Sequence, residues 1–141
     1  DYNLAAGDLS PVTPATHSGK TRIIVTVPSL DTPVCQTETR TFNEKAAGLT
    51  DTVVLIVSSD LPFAQKRFCE TEGLENVVAC SDLRDRGFAE RWGVAISEGP
   101  LQGVTARAVF VVDANDKLVY RELVPEIAQE PDYDAALAAA S

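Results

Sequence analysis

Cys35 stands where the local sequence predicts an activated thiol. Residues 21–27 are rich in β-branched types and predict a strand that ends at Pro28. Thr32 is a good N-cap residue, and Pro33 is favoured at the first helical position because its missing N–H costs nothing there. Cys35 would then lie in the first helical turn, among N–H groups that have no partner inside the helix. These donors and the helix dipole favour a thiolate over a thiol, so we expect Cys35 to be a nucleophile.

The alternative for Cys35 is a buried cysteine that packs as a small apolar side chain, the commonest role of a free cysteine. Its polar neighbours, among them Asp31 and Gln36, argue against that role. The residues after it are Gln36-Thr37-Glu38, so there is no C-x-x-C motif, which excludes a thioredoxin-type dithiol.

Two further cysteines could take part in chemistry. Cys69 follows Cys35 by 34 positions and lies among charged residues of a predicted helix, so both a core role and a redox role stay open. Cys80 follows three apolar residues at the end of a predicted strand, and we expect it to be an unreactive core residue. A zinc site formed by His17 and the three cysteines is disfavoured, because the spacings of 18, 34 and 11 positions contain no C-x₂-C pair.

Arg107 lies inside the otherwise apolar segment 104–112. A charged side chain in such a strand has to reach water or meet an anion. One interpretation is an exposed strand end. The other is that the planar guanidinium contacts a thiolate and a substrate oxygen. The sequence leaves both open.

The composition limits the class of protein. A chain of 141 residues suits a single domain, and 21 acidic against 12 basic residues give a net charge of −9. This charge argues against nucleic acid or an anionic membrane as a partner, and we find no run of about 18 apolar residues. Three cysteines do not make a disulfide framework. Residue 1 is not Met, so we expect that the chain is processed or that its first residues are missing.

The order of predicted elements indicates an α/β fold with a mixed sheet and helices on both faces. A nucleophile at the carboxyl end of a strand would lie where open α/β sheets bind their ligands. Strands are predicted within residues 2–9 and over residues 21–28, 53–58, 76–80, 105–112 and 117–123, with a polar loop over 10–20. Helices are predicted over residues 33–47, 62–71, 83–92 and 131–140.

The spacing Pro28-x-x-x-Thr32-x-x-Cys35 resembles the active-site motif of the peroxiredoxins. Other segments are similar to the bacterial thiol peroxidase branch of that family, and the similarity extends from about residue 1 to residue 140. They are residues 60–69 (DLPFAQKRFC), 106–109 (ARAV) and 130–133 (EPDY).

The resemblance implies a single thioredoxin-like domain over residues 1–141, without a metal or an organic cofactor. Members of the family usually carry a β-hairpin before the position of Asp1, and we expect that hairpin to be absent from this chain. By resemblance, Cys35 matches the peroxidatic cysteine and Cys69 the resolving cysteine. Thr32 and Arg107 match the activating residues, and Pro28 the residue that shields the pocket.

The activity implied by the resemblance is reduction of hydrogen peroxide and organic hydroperoxides by an atypical two-cysteine peroxidase. A sulfenic acid on Cys35 would give an intrachain Cys35–Cys69 disulfide, which thioredoxin would reduce, in a homodimer of the bacterial cytoplasm. A disulfide needs Cα atoms about 4.4–6.8 Å apart, so we expect the helices at both cysteines to unwind locally. The alternative is a peroxide-sensing redox switch that uses the same cysteine pair. A thioredoxin-fold binding module is disfavoured by the presence of Cys35, Thr32 and Arg107 together.

Overall fold

The computed structural model describes residues 1–126 and 128–140, which form seven strands and four helices. None of these helices is long and apolar enough to cross a membrane. The strands are β1 (Leu4–Ala6), β2 (Pro11–Val12), β3 (Thr21–Thr26), β4 (Thr52–Ser58), β5 (Val78–Ser81), β6 (Ala108–Val112) and β7 (Leu118–Leu123). The helices are α1 (Pro33–Ala46), α2 (Pro62–Glu72), α3 (Phe88–Arg91) and α4 (Tyr133–Ala140).

The strands form one mixed sheet in the order β2-β1-β5-β4-β3-β6-β7. The central strands β3, β4 and β5 are parallel, whereas β1, β6 and β7 pair with their neighbours in antiparallel fashion. Both faces of β4 are covered, and its residues 53–57 form a continuous apolar run rather than an alternating one.

Two apolar clusters cover the two faces of the sheet. Alternate residues of β3 point to opposite sides, so that Ile23 and Val25 join one cluster and Ile24 joins the other. The first cluster is closed by α1, α2 and α4, and the second by α3 and the N-terminal segment. The predicted α/β fold with helices on both faces is therefore confirmed.

The helices that carry Cys35 and Cys69 begin where the sequence predicts. Both start at a proline, Pro33 in α1 and Pro62 in α2. Helix α2 ends at Gly73, whose φ of 66° lies in the left-handed region that glycine adopts without a steric penalty.

Two predictions of secondary structure are wrong, one near the N-terminus and one in the middle of the chain. The predicted loop 10–20 contains β2, a strand of two residues that is too short to give a sequence pattern and that exists because it pairs with β1. The predicted helix 83–92 is only the four residues of α3. The segment before it forms a turn instead, in which the Ser81 hydroxyl accepts the N–H of Leu83 and the Asp82 carbonyl accepts that of Asp85.

The predicted strand 105–112 is also shorter than expected, and this changes the setting of Arg107. Strand β6 begins at Ala108, and Thr105 makes only an isolated bridge to Ala95. The Thr105 hydroxyl donates to the carbonyl of Val27, which fixes this segment beside the end of β3. Arg107 is therefore the residue before the strand rather than one inside it.

We predict that Phe42→Ala destabilises the protein by about 3–5 kcal/mol, because it removes a fully buried side chain of α1 and leaves a cavity. The ring of Phe42 packs edge-on against Tyr133 with centroids 5.1 Å apart. Chemical denaturation measures the loss. The control is Phe63→Ala, whose side chain is 65% exposed and whose removal should change the stability by less than about 0.5 kcal/mol. Equal losses in the two variants would contradict the core assignment.

Candidate active site

Cys35 is the third residue of α1, directly beyond the carboxyl end of β3, and it is fully buried. Thr32 occupies the N-cap position with an extended backbone, as expected. Its hydroxyl does not cap the helix: it donates to the carbonyl of Ser29 at 3.0 Å. Pro28, two residues beyond the end of β3, is buried as well. The Thr32 hydroxyl is therefore held by the backbone of the loop 28–32, which leads into the first turn of α1.

Arg107 meets the sulfur of Cys35. Its Nη2 donates to Cys35 Sγ at 3.3 Å, and its Nη1 donates to Glu38 Oε1 at 2.5 Å. Arg107 is 2% exposed and Glu38 is not exposed at all. Of the two interpretations of Arg107, the exposed strand end is wrong, and the contact between the guanidinium and the thiol group is present.

Glu38 is the member of this site that the sequence did not single out. It lies three positions after Cys35 on α1, so both side chains leave the helix on the same side and can reach one guanidinium. The signal that could have found it is this spacing, together with an acidic residue on the buried face of α1. Its Oε2 atom has no hydrogen-bond partner within the described part of the chain.

Burial raises the pKa of Glu38 to about 7, and Arg107 opposes that shift while Glu130 and Glu122 add to it. For Arg107, burial acts against the charge, but Glu38 and Cys35 hold the pKa above its ordinary value. The guanidinium therefore keeps its charge, and Glu38 is the member of the pair that titrates near neutral pH.

The three cysteines are free thiols, and the sheet separates Cys80 from the other two. Cys35 lies in the apolar cluster under α1, α2 and α4, and the half-buried Cys69 packs against that same cluster. Cys80 lies in the cluster on the opposite face of the sheet. Burial raises the pKa of Cys69, and it raises that of Cys80 to about 12. Cys69, and not Cys80, is thus on the same face as Cys35.

An apolar cleft has Arg107 among its lining residues, but none of Pro28, Thr32 and Cys35. It has a volume of about 570 Å³, and Ile96, Leu101, Leu123 and Val124 are among its lining residues. Leu101 and Leu123 are exposed to solvent. An apolar molecule can therefore lie against the protein next to Arg107.

Comparison with known proteins identifies the family. The sequence matches the redoxin family over residues 1–137. The chain belongs to the redoxin family. A thiol peroxidase of Leptospira interrogans serogroup Icterohaemorrhagiae serovar copenhageni is 50% identical over 143 residues, which cover 100% of this chain and 84% of the relative. The resemblance to the thiol peroxidase branch is thereby confirmed.

Solved structures of redoxins have the same fold. A peroxiredoxin-like protein from Aquifex aeolicus superposes with a TM-score of 0.90 at 46% identity, over 98% of this chain and 81% of the other. The thiol peroxidase from Chromobacterium violaceum also gives a TM-score of 0.90, at 26% identity, over 97% of this chain and 79% of the other. This redoxin is accordingly a peroxiredoxin-type peroxidase that reduces peroxides at the expense of thiols.

In this redoxin the titration of Glu38 gives a prediction for stability. The folded state holds a proton on Glu38 up to a pKa of about 7, whereas the unfolded chain releases it near 4.5. Between these values the folded state binds more protons, so its stability falls as the pH rises. We predict that Glu38→Gln removes this part of the pH dependence, which amounts to a few kcal/mol at about 1.4 kcal/mol per pKa unit.

The measurement is the free energy of unfolding at pH 5 and pH 7.5, taken as the difference between wild type and variant. Glu44→Gln is the matched control, because Glu44 is exposed on the same helix, and it should keep the wild-type dependence. If Glu38→Gln and wild type lost the same stability between the two pH values, Glu38 would not be the titrating group.

Proposed function

We propose that this protein reduces hydrogen peroxide and organic hydroperoxides through a sulfenic acid on Cys35 and an intrachain Cys35–Cys69 disulfide, which thioredoxin reduces. The observation that carries the proposal is the 3.3 Å contact between Arg107 Nη2 and Cys35 Sγ in a buried site. It holds a fixed positive charge beside the sulfur that has to be a thiolate in order to attack.

In the first step the thiolate sulfur of Cys35 attacks the terminal oxygen of the hydroperoxide. An S–O bond forms and the O–O bond breaks, which leaves a sulfenic acid on Cys35. The departing oxygen takes a proton and leaves as water or an alcohol. Arg107 stabilises the negative charge on that oxygen, Thr32 orients the peroxide, and Pro28 shields the pocket from water. Organic hydroperoxides are proposed as substrates by resemblance to the thiol peroxidases.

In the second step the thiol of Cys69 condenses with the sulfenic acid, forming the S–S bond and releasing water. A dithiol reductant, which we propose to be thioredoxin, then restores both thiols by disulfide exchange. Cys69 is supported in this role by its position on the same face of the sheet as Cys35, whereas Cys80 lies on the other face.

The proposal extends to assembly and location by resemblance to the thiol peroxidases. We propose a homodimer in the bacterial cytoplasm and a single domain over residues 1–141. Sedimentation of the reduced protein measures the assembly, and a monomer at micromolar concentration would contradict the dimer.

Steady-state kinetics with thioredoxin test the assignment of the cysteines. We expect Cys35→Ser to lose turnover altogether, because no sulfenic acid can form. Cys69→Ser should consume one equivalent of peroxide quickly, and at most a second one as the sulfinic acid forms, and then stop, because the sulfenic acid has no thiol with which to condense. Cys80→Ser is the control and should turn over as wild type does.

Mass spectrometry of the oxidised wild type maps the disulfide in the same experiment. A Cys35–Cys80 bridge would overturn the role of Cys69. A wild type that consumed a single equivalent of peroxide in the presence of thioredoxin would favour the redox switch over the enzyme.

The role of Arg107 gives a separate prediction. We expect Arg107→Lys to lower kcat/KM for peroxide by roughly 10²–10³-fold, because an ammonium group cannot hold Glu38, the sulfur and the departing oxygen with one planar set of donors. Arg121→Lys, on the exposed side of β7, is the matched control. Full activity in Arg107→Lys would show that a point charge is sufficient and that the planar group has no special role.

A further inference from the structure

Asp60 hydrogen-bonds to the loop that precedes Cys35. It lies in the turn between β4 and α2, and its Oδ1 accepts the Ser29 hydroxyl at 2.7 Å while its Oδ2 accepts the N–H of Leu30 at 2.8 Å. One carboxylate thus holds two successive residues of the loop 28–32. These contacts join segments 30 positions apart in the chain.

Ser29 passes this restraint on to the residues next to the nucleophile. Its carbonyl accepts the Thr32 hydroxyl at 3.0 Å, and its own hydroxyl accepts the N–H of Asp31 at 3.1 Å. Fixing Ser29 therefore fixes the side chain of Thr32 and the chain that leads into α1.

Asp60 is also connected to the helix that carries Cys69. Its Oδ2 accepts the hydroxyl of the buried Ser58 at 2.8 Å, and that hydroxyl accepts the amide N–H of Gln65 at 2.9 Å. Gln65 is fully buried on α2, one turn before Cys69. A continuous path of hydrogen bonds thus runs from the loop beside Cys35, through Asp60, to the helix of Cys69.

Because Cys35 is buried, these hydrogen bonds affect how other groups reach its sulfur. Its side chain is fully buried, so every reactant needs some movement around the sulfur. A hydroperoxide group needs only a narrow opening, whereas a second thiol carried on a helix needs the loop and the first turn of α1 to move. The bonds to Asp60 have to be released in that movement. The same bonds hold the closed site in which the peroxide is attacked.

We propose that Asp60 is a positioning residue that favours the closed site for attack on the peroxide and delays its opening for disulfide formation. This inference rests on the proposed function of Cys35 and Cys69. It predicts opposite effects on two successive steps when the hydrogen bonds to Asp60 are weakened. The sulfenic acid should form more slowly, and the disulfide should form faster.

A competing reaction makes the opening step measurable. The sulfenic acid either condenses with Cys69, giving the disulfide and water, or reacts with a second hydroperoxide, giving the sulfinic acid and an alcohol or water. Faster opening favours the first reaction. The fraction of Cys35 that becomes sulfinic acid at a fixed peroxide concentration therefore reports how long the site stays closed.

The experiment is Asp60→Asn in the full chain, followed by quenched flow and mass spectrometry with cumene hydroperoxide. Asparagine removes the negative charge and keeps one oxygen acceptor. It therefore loses either the bond from the Ser29 hydroxyl or the bonds from Leu30 and Ser58, according to which oxygen the NH₂ group replaces. We expect sulfenic acid formation to slow by roughly tenfold and disulfide formation to become faster by a similar factor, because a hydrogen bond to a charged group is lost. The sulfinic acid fraction should fall as a result.

Asp113→Asn is the matched control, because Asp113 accepts the N–H groups of Asn115 and Lys117 at 2.9 Å in the turn between β6 and β7 and contacts neither cysteine. Both rates should stay at the wild-type values. Should Asp60→Asn fail to fold, Ser29→Ala removes one of the same bonds and should shift both rates in the same directions by less.

The inference is overturned if both steps slow together, since a merely structural role would do that, or if the sulfinic acid fraction stays at the wild-type value. A wild type that forms no Cys35–Cys69 disulfide would instead refute the proposed function, and this inference with it. Comparing wild type with the variant thus tells the two failures apart.

Discussion

The buried guanidinium of Arg107 is the constraint on which the site depends. A charged group that is 2% exposed has to be matched by an opposite charge and by hydrogen bonds, or its burial would cost several kcal/mol. Glu38 and Cys35 provide those partners from one face of α1. The position of α1 over the sheet and the environment of the sulfur are therefore two results of the same requirement.

The sequence predicts the parts of this site that depend on local chemistry. Prolines mark the starts of α1 and α2, Gly73 marks the end of α2, and the first-turn position of Cys35 follows from them. The fold class follows from the order of the elements. The peroxiredoxin resemblance implied activating roles for Thr32 and Arg107, which local patterns could not distinguish from a cap and a strand end.

What the sequence could not predict depends on contacts between distant residues. The pairing of Arg107 with Glu38 spans 69 positions, and that of Asp60 with Leu30 spans 30, so neither leaves a periodic signal. The start of β6 at Ala108, three residues later than predicted, has the same origin, because the hydroxyl of Thr105 bonds to Val27 across 78 positions. Such contacts arise from topology, which local propensity does not encode.

Two kinds of interaction hold α1: hydrogen bonds in the loop before its first turn, and apolar packing further along the helix. The loop that leads into its first turn is fixed by hydrogen bonds from Ser29 and Leu30 to Asp60. Each such bond makes a small net contribution to stability, because water can replace it on opening. Two turns further on, Phe42 is fully buried against Tyr133, and exposing it would cost far more. Unwinding that begins at Cys35 should therefore stop before Phe42.

Cys69 lies near the opposite end of its own helix, where Leu74 and Gly73 donate to the last carbonyls, including that of Cys69 itself. Helix ends open at lower cost than helix centres, so the closed site and the proposed disulfide can both form without loss of the core beneath them.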